Sequence, residues 1–180
     1  MAHIPVKEGL PGIRGLVHFR PETGKPLYEL AQTLLRTPSS LTEAEREIIA
    51  TYVSSKNECV FCTMSHAAAA RHLLGEDSEI VDKVMENPGN APISDKLKAL
   101  IVIAGKVQKG GRIVTDDDIA YARSLGATDM EIHDAVLIAA TFSMFNRYVD
   151  GLASFTPTDP ATYAEMGKRM AEVGYVPPAQ

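Results

Sequence analysis

The run from Thr63 to Leu74 leaves this chain little choice of local structure. It holds four consecutive alanines, Leu73 and Leu74, and neither glycine nor proline, so it reads as a helix that Gly75 ends. Just before it stand the only two cysteines of the chain, Cys59 and Cys62, which therefore fall in the first turns of that helix. Free backbone N–H groups and the positive end of the helix dipole favour an anion there, here a thiolate. Residues three and four apart share a helix face, so Cys59 can meet Cys62, and His66 lies beside Cys62. A thiol pair with a neighbouring imidazole is the constellation of a dithiol redox site.

Residues of these types also have other uses. Cysteines are often small buried hydrophobes, but the Cys-x-x-Cys spacing with a histidine one turn on favours chemistry. A structural zinc site needs four ligands. Cys59, Cys62 and His66 give three, and His72 is poorly spaced to be the fourth. Covalent haem attachment needs a histidine directly after the second cysteine, where Thr63 stands. No cofactor is therefore expected.

Glu47, Cys59, Cys62 and His66 follow one another at intervals of 12, 3 and 4 residues. This resembles the Glu-x11-Cys-x2-Cys-x3-His pattern of the AhpD-like alkylhydroperoxidases, within the carboxymuconolactone decarboxylase superfamily. The surrounding LTEAEREIIATYVSSKNECVFCTMSHAAAA is similar to the family's core helix pair. The later FNRYVDGL resembles the ending of its peroxidase-related branch. The resemblance spans about residues 25 to 155 and departs at Phe61, where the best-known members carry a second histidine. It implies an all-α AhpD-like bundle, a homo-oligomer (trimer or hexamer), and reduction of hydroperoxides through a Cys59–Cys62 couple. It also implies Cys62 as the attacking thiol, with Glu47 and His66 as its proton path and an external thiol protein as reductant. Dipole position alone favours Cys59, which is nearer the helix start, so the order of attack stays open. Glu47, among apolar neighbours, is expected to have a raised proton affinity. Its alternatives are a solvated face residue or an ion pair with Arg46 or Arg71.

At 180 residues one domain is the natural expectation. The net charge of −5 speaks against nucleic acid or an anionic membrane as partner. No stretch is long and apolar enough to span a bilayer. MAHIPVKEGLPGIRG lacks an apolar signal core, so a cytoplasmic location is expected. Residues 1–25 are dense in glycine and proline and read as an extended apolar arm, lying on its own domain or on a neighbouring subunit. Within it, His3 and His18 are read as surface or packing residues.

The helical domain, residues 26–156, should begin with a helix over Pro26 to Arg36. Thr42 and Glu45 form a capping box for the next. Further helices are expected over Glu76 to Glu86, over Asp95 to Val107 behind Ser94, after Thr115, and from Thr128 to about Leu152. The last of these is apolar enough to suggest burial all round. Asp116, Asp117 and Asp118 read as a solvated helix start, His133 as a core or surface residue, and Arg147 as the partner of an internal acid. Residues 157–180 read as a short amphipathic helix and a tail. LTEAEREIIATYVSS is echoed by ISDKLKALIVIAGKV 52 residues on, which suggests a duplicated helical unit with the chemistry kept in one copy. No alternating strand pattern stands out, so the fold class is all-α. The leading function is a thiol peroxidase. The alternatives are a carboxymuconolactone decarboxylase-like lyase, or a non-enzymatic thiol sensor or metal-binding oligomer.

Overall fold

Side-chain caps decide where most of the helices start. In the computed structural model, which describes residues 2–176, Thr42 accepts from the Glu45 N–H while Glu45 reaches back to the Thr42 N–H. The same reciprocal box is built by Thr115 with Asp118 and by Thr128 with Glu131, and Ser94 accepts from the Leu97 N–H. Each cap satisfies N–H groups that no intrahelical carbonyl can reach, worth about 1 kcal/mol. The described residues hold nine α-helices and no strand. They are α1 Ile13–Phe19, α2 Pro21–Arg36, α3 Glu43–Lys56, α4 Val60–Leu74, α5 Ile80–Glu86, α6 Asp95–Lys109, α7 Asp116–Ser124, α8 Asp129–Gly151 and α9 Pro160–Val173.

Helices α3, α6 and α8 pack on one another, α4 lies along α3, and α9 covers α4. The main core between them includes Leu35, Ile49, Val53, Leu100, Ile103, Ile138 and Phe142, all buried. A smaller cluster holds Cys59, Phe61 and Cys62 with Leu16, Val149 and Tyr163. Helix α6 repeats α3 at the expected offset, and a 3₁₀ turn over Gly111–Ile113 stands where the first copy has its cysteines. The all-α, single-domain reading holds.

Several expectations need correction. The arm is extended only to residue 12. Beyond it α1 forms, and α2 begins at Pro21 rather than Pro26. Pro21 sits at a first-turn position where its missing N–H costs nothing, and Gly24 is small because α2 there presses against the backbone of Val17. These residues look like helix breakers in sequence but here serve a tight corner. The arm lies on its own domain, with the His3 N–H on the Leu152 carbonyl and the Gly12 N–H on that of Phe155. The helix expected over Glu76 to Glu86 is broken, with a 3₁₀ turn at Gly75–Asp77 before α5. Helix α8 is not buried all round. His133, Ala140, Met144 and Arg147 form an exposed stripe along it. The expected C-terminal tail falls partly on residues 177–180, outside the described residues.

Candidate active site

The cysteine pair is delivered by an abrupt turn between α3 and α4. Glu58 adopts the left-handed region, φ 59°, which costs a side-chain-bearing residue roughly 1–2 kcal/mol. Its neighbours hold it there. The Cys59 N–H bonds the Ser54 carbonyl at 3.1 Å. Asn57 donates to Asn146 Oδ1 at 2.8 Å, and Asn146 donates to Ser54 Oγ at 3.0 Å. Asn146 thus ties α8 to the turn.

Cys59 is the N-cap residue of α4 and Cys62 lies in its first turn. Both are free thiols and both are buried. A hydrogen bond with Cys62 is the chief cause that raises the Cys59 thiol far above its ordinary range, and burial adds to it. Cys59 thus holds its proton more firmly than an ordinary thiol.

Glu47 has no solvent exposure and is surrounded by donors. His66 Nδ1 lies 2.7 Å from its Oε2. Arg36 Nη2 and the Tyr175 hydroxyl each donate to its Oε1 at 2.5 Å. Burial pushes the Glu47 carboxyl up, but the charge and hydrogen bond of His66, the Arg36 guanidinium and the Tyr175 hydrogen bond outweigh it and hold the carboxyl below its ordinary value. The expected rise in proton affinity is thus overturned, because an apolar face alone was visible in sequence and the cations were not. Arg46 and Arg71 are not the partners. Arg46 donates to the carbonyls of Leu34 and Thr37, and Arg71 pairs with Asp82.

An ionised Glu47 can only accept, so a proton on Nδ1 of His66 points at it, and Nε2 is the ring nitrogen left free of Glu47. Tyr175 completes the arrangement. Its ring stacks on His66 with centroids 6.0 Å apart, and Arg36 lies 5.1 Å above its face. Its N–H bonds Gln32 Oε1 at 2.7 Å. Arg36 and Tyr175 were missed in sequence. They lie 11 and 128 residues from Glu47, and no local spacing marks them.

Two cavities of about 80 and 40 Å³ share walls of Ile13, Tyr28, Phe61, His66 and Tyr175. The smaller reaches Cys62, and neither is lined by Cys59. Phe61, at the position where the sequence resemblance leads us to expect a second histidine, is an apolar wall packed against Gly12, where a side chain would collide with its ring. Among the described residues, no three His, Cys, Asp or Glu side chains gather to hold a metal ion. The remaining candidates lie elsewhere. Asp118 accepts from Lys106 and caps α7, exposed His133 neighbours Asp134, and Arg147 donates to the Ser143 carbonyl, not to an acid.

This geometry sits on a known scaffold. The family model "Carboxymuconolactone decarboxylase family" matches residues 21–88, the span that carries Arg36, Glu47 and both cysteines. A crystal structure described as an alkylhydroperoxidase AhpD core, an uncharacterized peroxidase-related protein from Ralstonia eutropha JMP134, superposes with TM-score 0.77 at 26% identity, over 88% of this chain and 81% of that one. An uncharacterized peroxidase-related protein from Silicibacter sp. TM1040 gives 0.75 at 27%, over 83% and 76%. ATU0492 of Agrobacterium tumefaciens, of unknown function, shares the fold with TM-score 0.68 at 21%, over 88% and 100%. No curated protein matches the chain. Residues 21–88 are thus similar to the carboxymuconolactone decarboxylase family, and the fold as a whole is similar to that of the AhpD-like, peroxidase-related structures.

Proposed function

We propose that this protein is a thiol-dependent peroxidase that reduces hydroperoxides through a Cys59–Cys62 dithiol/disulfide couple. The observation that carries the reading is a single pocket wall. Cys62 and His66 line the same cavity, and Cys59, which does not line it, stands three residues before Cys62 at the helix start. The peroxidase-related descriptions of the two neighbours above 25% identity support the same class.

The anionic Glu47 fixes Nδ1–H of His66, so Nε2 faces the task of accepting the Cys62 proton. The Cys62 sulfur attacks the outer oxygen of ROOH. The O–O bond breaks, ROH leaves with the proton, and Cys62 becomes a sulfenic acid. The Cys59 sulfur displaces the hydroxyl as water and forms the disulfide. An external dithiol restores both thiols by exchange and is itself oxidised. In total, two thiols and ROOH give a disulfide, ROH and water. The need for such a reductant fits a cytoplasmic setting. We also propose a homo-oligomer on the strength of the exposed Val102, Met130 and Met144, its size, a trimer or hexamer, being what the sequence resemblance implies.

One equivalent of cumene hydroperoxide should consume both thiols of the wild-type protein. In Cys59→Ser a sulfenic acid should be trapped at Cys62, and Cys62→Ser should consume no peroxide. Glu47→Gln and His66→Phe should each lose about 10²–10⁴ in turnover, the usual worth of positioned acid–base assistance. Thiols that stay unreacted in the folded wild type would sink the reading.

A further inference from the structure

The larger cavity, which shares five wall residues with the smaller one that Cys62 lines, lies between three helices, each of which contributes one polar side chain to its lining. Arg14 comes from α1, Tyr28 from α2 and Arg169 from α9. The walls inside are apolar, formed by Ile13, Phe61, Met166 and Met170. No Asp or Glu lines the cavity, although acids outnumber Lys and Arg 23 to 18 in the chain. Among the described residues neither arginine has a carboxylate within ion-pair distance, in contrast to Arg36, Arg71 and Arg123. Both arginines act electrostatically on the Tyr28 hydroxyl, opposing the effect of its burial, so the three groups converge on one place.

We infer that these three side chains form a carboxylate-binding subsite, and that the substrate is an organic hydroperoxide with an apolar body and a carboxylate at the end away from the peroxide. The inference rests on the peroxidase reading for the reacting end. The two guanidinium forks match carboxylate geometry, and Tyr28 adds a third donor. The apolar walls take the body between, and the peroxide is aimed at Cys62 beside His66. Hydrogen peroxide and small neutral hydroperoxides leave the subsite unused and gain nothing from it.

The experiment compares matched probes in a single turnover without reductant, so that only oxidation of the thiols is read. Cumene hydroperoxide and its para-carboxylate differ by one anionic group. Wild-type thiols should be oxidised about tenfold or more faster by the carboxylate at low salt, the scale of one hydrogen bond to a charged group. The preference should shrink as salt is raised. In Arg14→Gln/Arg169→Gln the two probes should react alike, with the rate for cumene hydroperoxide unchanged. A second arm needs no peroxide chemistry. 4-Isopropylbenzoate should slow alkylation of Cys62 by iodoacetamide, its neutral amide should not, and the double variant should lose the protection. Equal oxidation of wild type by both probes, or a preference that survives in the double variant, overturns the carboxylate subsite. Protection by benzoate and amide alike overturns it too. If neither probe oxidises the thiols while benzoate still protects through the arginines, the subsite stands and the peroxidase reading falls.

Discussion

Glu47 keeps a charge where no water reaches it because three donors meet its two oxygens, and this makes the residue structural as well as chemical. Removing one member of a buried ion pair strands the other, at about 3–5 kcal/mol. Glu47→Gln should therefore lose stability of that order at pH 7 by urea unfolding, since the Arg36 side chain is only 5% exposed. The pH dependence has a definite sign. A carboxyl held below its ordinary value stabilises the fold above the unfolded value of about 4.3, and that contribution is lost as pH falls through the folded value. Wild type should lose stability from about pH 4 downwards, and Glu47→Gln should show a shallower slope. Tyr175→Phe removes one bond to the carboxylate, about 1.5–3 kcal/mol, and raises its proton affinity. Its acid loss should begin at higher pH than in wild type. An unchanged acid limb in both variants would show that Glu47 is not the titrating group. Cys59, Cys62 and His66 stood out by their spacing at one helix start, and Glu47 by the resemblance that its interval to them carries. Arg36 and Tyr175 reach the same carboxylate through tertiary packing, which leaves no period in the sequence.

At the scale of elements, helix starts were legible and helix packing was not. Capping boxes are written in consecutive residues, so α3, α6, α7 and α8 begin where Thr42, Ser94, Thr115 and Thr128 predict. Helix α1 and the first turn of α2 were hidden because a glycine that permits close approach looks the same in sequence as one that breaks a helix. Gly167 makes the point again where α9 crosses α4. A Cβ there would stand 2.5 Å from the Ala68 carbonyl carbon and 2.7 Å from the Ala69 nitrogen, so the alanine run of α4 is a flat bed for α9 as well as a helix former. Gly167→Ala must push the helices apart and should cost about 1–3 kcal/mol, read as a fall in Tm. Because α9 leads directly into Tyr175, the same variant should lower peroxide turnover although Gly167 touches no reacting group. Full turnover with a lowered Tm would uncouple α9 from the site.

For the whole molecule, exposed apolar side chains decide what lies outside the single chain. Val102 on α6 and Met130 and Met144 on α8 are at least 44% exposed. Light scattering at micromolar concentration should give a mass that is a multiple of 19.5 kDa, and a clean monomer would remove the oligomer proposal. The site also has an order in time. His66 and Tyr175 are 109 residues apart, and a ribosome adds about 5–20 residues per second. For roughly 5–20 s of synthesis, then, the two cysteines exist beside a Glu47 that still lacks one of its three donors. The nascent chain thus carries both thiols and Glu47 before it carries the hydroxyl that completes the carboxylate's set of donors.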